Sequence, residues 1–234
     1  MPIDARPDHV AIAVPDWDTP ERRWVDQLGG RRSSWSQNPA FRMRQYRFAN
    51  AAKLELIAPV EGADSFVRGF LDRFGAQVHH LTLKVPDIHD AIAQLPRDGF
   101  EVVDVRTEGR RWREAFLRPS QVGGLVVQVA WSGMTDNEWW REHDFVPEPV
   151  PPDAATLLGP QLRHPDLDRA REVWTALGAD VIADDGGLLC SWGDAPLTVR
   201  IAAGEPAGPV ALRMHGAPDL PQDPVLGPHV IQQG

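Results

Sequence analysis

Four polar side chains stand in segments that otherwise read as buried strands: His9 in HVAIAVPDW, Glu55 in KLELIAP, His80 in HLTLKVPDI and Gln128 in LVVQVAW. Their spacing is regular. The histidines are 80 − 9 = 71 residues apart, and Glu55 and Gln128 are 128 − 55 = 73 apart, so two independent pairs agree on one repeat. A polar group buried in mid-strand without a partner is costly, so something must satisfy each of the four. Two imidazoles, a carboxylate and an amide oxygen drawn into one cavity form a borderline-to-hard donor set for one divalent ion, suited to Zn, Ni, Co, Mn or Fe. An ion with open positions can hold two adjacent substrate oxygens and stabilise charge that develops beside a carbonyl. Glu55 is the first candidate for the base, because a ligated carboxylate can swing toward substrate. His79 is a second candidate, although adjacent strand residues face opposite sides and His80 takes the inward one.

Arginines repeat as well. Arg42 and Arg44 in FRMRQYRF are matched with Arg111 and Arg113 in RRWREAFL, and guanidinium groups suit carboxylate or phosphate. They are candidates for holding an anionic substrate, with a solvated strand face as the plain alternative. Trp35, Trp112 and Trp131 are candidates for an apolar lining, and core packing is the plain alternative for them.

The elements that must position these residues follow from internal repetition. His9–Trp17, His80–Ile88, Pro160–Leu167 and Leu212–Leu220 are each a short strand closed by Pro-Asp, in the last as Ala-Pro-Asp-Leu. Proline cannot continue a ladder, and the aspartate, or Asp18 and Asp168 two residues on, can cap a following helix. Helical patterns follow over 20–28, 89–95 and 167–177, two of them closed by glycine. Three strand-like runs come after each: 31–36, 41–48 and 53–58; 100–106, 111–117 and 125–131; 180–183, 188–192 and 197–202. The order βαβββ occurs twice in full and a third time with divergent content, and a tail from Val210 opens a fourth copy that stops short. Residues 133–154 hold four prolines and neither period, and read as a Pro-rich linker anchored by Trp139 and Trp140. The expected organisation is an α+β fold: residues 1–132 as paired βαβββ modules around the metal, 133–154 as linker, and 155–234 as a degenerate third module, structural or dimerising. Aligning Pro165 with Pro15 puts Gly159 where His9 stands, and the strand from Leu197 lacks a carboxylate, so the third unit offers no site.

The motifs DHVAIAVPD (8–16), LELIAP (54–59), HHLTLKVPDI (79–88) and RPSQVGGLVVQV (118–129) resemble the vicinal oxygen chelate superfamily, which includes glyoxalase I, methylmalonyl-CoA epimerase, extradiol dioxygenases and the fosfomycin and bleomycin resistance proteins. The resemblance covers residues 8–132 and is most similar to the epimerase and glyoxalase branch. It implies a glyoxalase-like fold and places the metal ligands at His9, Glu55, His80 and Gln128, with His80 chosen over His79. It also implies catalysis by enolate stabilisation beside a carbonyl of a small or CoA-linked substrate, that is, an isomerase or lyase. Two departures stand out. The branch's usual fourth-position glutamate is Gln128 here and its frequent second-position glutamine is Glu55. The loop Ser33–Phe41 lacks the acidic residue that serves epimerases as a base. The alternatives are an extradiol-type Fe(II) dioxygenase, or a protein that sequesters a metabolite or antibiotic.

Composition limits the partners. A net charge of −9 disfavours nucleic acid and anionic membranes. The single cysteine, Cys190, forms no internal disulfide and reads as buried filler. No run reaches the roughly 18 apolar residues of a membrane span, and the expected location is cytoplasmic. An open sheet face on the third module points to a homodimer.

Overall fold

The computed structural model describes residues 1–233. The first module comprises β1 (Arg6–Ala13), a helical turn (Arg22–Gln27), β2 (Arg31–Gln37), β3 (Phe41–Arg47) and β4 (Lys53–Pro59). The second, reached through α1 (Phe66–Phe74), comprises β5 (Gln77–Lys84), α2 (Ile88–Gln94), β6 (Val102–Arg106), β7 (Trp112–Leu117) and β8 (Val126–Ser132). After α3 (Asp136–Glu142) comes a third: β9 (Thr156–His164), α4 (Leu167–Ala176), β10 (Asp180–Asp184), β11 (Gly187–Ser191) and β12 (Val199–Ala203). The chain closes with β13 (Gly208–His215) and β14 (Val230–Gln232).

Eight strands form one sheet in the order β2-β3-β4-β1-β5-β8-β7-β6, and six form another in the order β10-β11-β12-β9-β13-β14. The second order repeats the first six places of the eight-stranded one. β13 and β14 pair in parallel, as β5 and β8 do. The truncated fourth copy thus keeps its first and last strands, and β14 is the part that the sequence pattern did not reveal.

The Pro-Asp closures act as local chemistry requires. Asp16 accepts from the Asp18 and Thr19 amides at 2.9 and 2.7 Å, Asp87 caps α2 through His89 and Asp90, and Asp166 caps α4 through the Arg169 amide at 2.9 Å. Gly178, with φ +85°, ends α4 where a Cβ would lie 2.5 Å from the Ile3 carbonyl. The first helix expected over 20–28 is instead a wide π turn. That winding allows the consecutive residues Arg23 and Trp24 both to be buried. Arg23 donates to the Pro221, Gly227 and Pro228 carbonyls, and Trp24 Nε1 donates to Leu226. Residues 133–154 contain α3, and Trp140 Nε1 donates to the Ser33 carbonyl at 2.6 Å.

Close packing groups the residues into two units. One holds Met1–Asp8, His80–Trp139 and Pro160–Val210; the other holds His9–His79, Trp140–Gly159 and Ala211 onward. The first is cored by Leu81, Leu83, Leu95, Ala115, Leu117, Val127 and Val129, the second by Val10, Ile12, Trp24, Tyr46, Phe48, Leu54 and Leu56. Among the described residues no helix is long and apolar enough to cross a membrane.

Candidate metal centre

β1 and β4 run parallel, with Glu55 opposite Ala11, two residues beyond His9. On the other side of β4, Gln45 of β3 lies directly opposite Glu55. His9 (2% exposed), Glu55 (5%) and Gln45 are all buried. Gln45 Nε2 donates to Glu55 Oε2 at 2.9 Å and lies 3.5 Å from His9 Nδ1, while His9 Nε2 is 3.5 Å from Glu55 Oε2. Ser34 Oγ donates to Gln45 Oε1 at 3.0 Å, which fixes the amide with its nitrogen toward the carboxylate.

The second module repeats this register. β5 and β8 run parallel, with Gln128 opposite Thr82, again two residues beyond the histidine, His80. His80, Thr82 and Gln128 are buried. Thr82 Oγ1 donates to Gln128 Oε1 at 2.5 Å, and Gln128 Nε2 donates to Glu114 Oε2 at 2.7 Å. Glu114 also accepts from Trp112 Nε1 at 2.9 Å and Arg106 Nη1 at 3.0 Å.

His9, Glu55 and His80 each offer one ligand atom, and these atoms all lie within 4.8 Å of one another. The cluster fits a divalent cation: two neutral-capable imidazoles and one carboxylate, each withdrawn from water, carry donors that burial would otherwise penalise.

The other candidate side chains lie elsewhere. Arg44 pairs with Asp18 at 3.0 Å and Glu21 at 2.8 Å and stacks over Trp17. Arg42 stacks over the same indole, and Arg113 over Trp131, with its Nε on the Gly109 carbonyl. On each strand these arginines alternate with the residue that serves the ligand strand, Gln45 or Glu114, and so face the opposite side. The ladders also change their pairing. Arg42 is opposite Ala58, three residues past Glu55, and Arg113 is opposite Trp131, three past Gln128, so Arg42 corresponds to Arg113 rather than to Arg111. Arg111 is exposed, just before β7. Trp112 lies on the Glu114 side, with Lys84 5.7 Å from its ring. Of the other tryptophans, Trp35 is exposed. His79 packs between Phe66 and Phe70, and burial lowers its pKa to about 4, so it is neutral at ordinary pH.

Gln45, Thr82 and Glu114 were not among the sequence candidates. Each is a polar residue alternating with apolar or arginine neighbours, and only pairing across strands distinguishes it from a solvated position. In the third module, Gln161 is opposite Arg200, so an arginine stands where Glu55 stands in the first; it pairs with Asp184 at 2.8 Å.

Repeated βαβββ units with buried donors on their first and fourth strands define a metal-cupping class of fold. The description "Glyoxalase/Bleomycin resistance protein/Dioxygenase superfamily" belongs to the family model that matches residues 8–116. Mitochondrial methylmalonyl-CoA epimerase of Mus musculus is 31% identical over 129 residues, spanning 53% of this chain and 71% of the mouse protein. Two solved structures share the fold over nearly the whole chain. A hypothetical protein from Staphylococcus aureus superposes with a TM-score of 0.67 at 10% identity, covering 98% of this chain and 99% of its own. A mutant of 4-hydroxymandelate synthase from Streptomyces coelicolor superposes with a TM-score of 0.65 at 13% identity, covering 92% and 71%. The chain belongs to the glyoxalase/bleomycin resistance protein/dioxygenase superfamily, the vicinal oxygen chelate proteins.

Proposed function

We propose that the protein is a divalent-metal-dependent enzyme of the glyoxalase and epimerase type, moving a proton beside a carbonyl of a small or CoA-linked acid. The observation that carries this reading is the buried His9, Glu55, His80 cluster, with Gln128 in the repeat position of Glu55. The similarity to an enzyme named methylmalonyl-CoA epimerase favours the isomerase form.

His9, Glu55, His80 and Gln128 would hold the ion. When bound, it supplies Lewis-acid polarisation of a substrate carbonyl. Gln45 holds Glu55 through Oε2, which leaves Oε1 as the oxygen that accepts a substrate proton. Ser34 keeps Gln45 from turning its acceptor toward that carboxylate. Burial of His9, Glu55, Gln45 and His80 excludes water and strengthens each of these interactions. Arg44 is already paired with Asp18 and Glu21 and so offers no free charge to an anionic substituent of the substrate.

The test is proton exchange. Metal-loaded protein with methylmalonyl-CoA in D2O should wash out the α-hydrogen, read by NMR, and Glu55→Ala should slow this at least about 100-fold. Metal-free protein as purified, together with undiminished exchange in Glu55→Ala, overturns the proposal. A second reading rests on the donor set itself, since two histidines and one carboxylate also suit an Fe(II) oxygenase. Anaerobic Fe(II) loading followed by catechol and O2 should yield a coloured ring-opened product if that reading holds, with no α-hydrogen exchange.

A further inference from the structure

In the first module a glutamine on β3 donates to a glutamate on β4; in the second a glutamine on β8 donates to a glutamate on β7. The carboxylate and the amide have exchanged strands, with Gln45 directly opposite Glu55 and Glu114 diagonal to Gln128, opposite Ala130. We infer that Glu114 is a positioning residue for the metal centre, acting through Gln128. This inference rests on the metal reading above.

Thr82 and Glu114 hold Gln128 from both ends. The threonine hydroxyl donates to one lone pair of the amide oxygen, and the amide N–H donates to the Glu114 carboxylate. An amide that gives its N–H to an anion has more negative charge on its oxygen, so the carboxylate makes Gln128 Oε1 a stronger donor to a cation. It also fixes which end of the amide faces the partner, because a flipped Gln128 would place its carbonyl against the carboxylate. By register, Gln128 stands to His80 as Glu55 stands to His9. Glu114 is therefore the remote charge of an amide-relayed ligand, where Glu55 is a direct one. The Glu114 side chain is largely withdrawn from solvent (14% exposed), whereas Arg106, its cationic neighbour, is 74% exposed, so the ion pair drains little of the carboxylate's charge.

Co(II) is the probe. Its visible absorption reports the donor set, and competition with a fluorescent chelator gives affinity without any assay of turnover. Glu114→Gln keeps an acceptor and the packing but removes the charge; it should weaken Co(II) binding about 10- to 100-fold and shift the absorption band. Gln128→Ala should cause a similar loss, and the double variant should lose no more than either single one. Arg106→Ala should bind as tightly as the parent or more so. Circular dichroism and Tm keep the comparison to folded protein, and Glu114→Ala serves if Glu114→Gln is unstable. Parent-like affinity in Glu114→Gln, additive losses in the double variant, or an Arg106→Ala loss equal to that of Glu114→Gln would each overturn the role. If Glu55→Ala weakens binding while Glu114→Gln does not, only the Glu114 role falls; if the parent binds no Co(II), both readings fall.

Discussion

Glu55 and Glu21 show how differently a buried and a half-buried carboxylate of one module can be used. Glu55 meets an amide and an imidazole and lies within the ligand cluster. Glu21 is surrounded by Arg32, Arg44 and the Tyr46 hydroxyl. Burial raises the Glu21 pKa, but the Arg32 and Tyr46 hydrogen bonds and the Arg44 charge outweigh it, and the net value lies below the ordinary 4.5. The stability Glu21 contributes is thus present above pH 4.5 and lost as pH falls through the lower folded-state value. Glu21→Gln should flatten that part of the acid unfolding curve, measured by fluorescence; an unchanged curve would assign acid sensitivity elsewhere. Gln45 is the residue-scale test of the centre. Gln45→Leu removes the donor to Glu55 and should cost about tenfold in Co(II) affinity, with circular dichroism confirming that the variant is folded.

At the scale of elements, the strands of the three modules, the Pro-Asp turns and two of the three repeat helices were legible because each rests on local chemistry: period two, a proline that ends a ladder, an aspartate that caps. Asp166→Ala should cost about 1 kcal/mol by chemical denaturation through loss of the α4 cap. His9, Glu55, His80 and Gln128 were legible as equivalent positions because repetition turns four weak signals into one. What was not legible depends on partners distant in sequence. The turn at Arg22–Gln27 winds wide because carbonyls of 221–228 receive Arg23 and Trp24, some two hundred residues away. Gln45 and Glu114 acquire meaning only when β3 meets β4 and β7 meets β8. The arginine match differs by two residues from the ladder equivalence because register across β3–β4 and β7–β8, not likeness of the strand sequences, sets which positions correspond.

At the scale of the molecule, a metal held as proposed would be linked to folding. A cation bound by the folded chain alone raises stability by RT ln(1 + [M]/Kd), about 2.7 kcal/mol at a concentration of 100 Kd. Tm should therefore rise with added Co(II) or Zn(II) and fall back on chelation in the parent, and should not respond in His9→Ala; an equal response in that variant would place the ion elsewhere. The six-stranded sheet adds a constraint of a different kind. Arg200 occupies the ladder position of Glu55, and Gly159 that of His9. The second sheet keeps the strand order of the first, but its Arg200 is engaged by Asp184 and Asp185 and its Gly159 carries no donor, so these positions supply no ligand set for a cation. The duplication therefore enlarged the protein without doubling its appetite, and a titration with metal in large excess should saturate at one ion per chain.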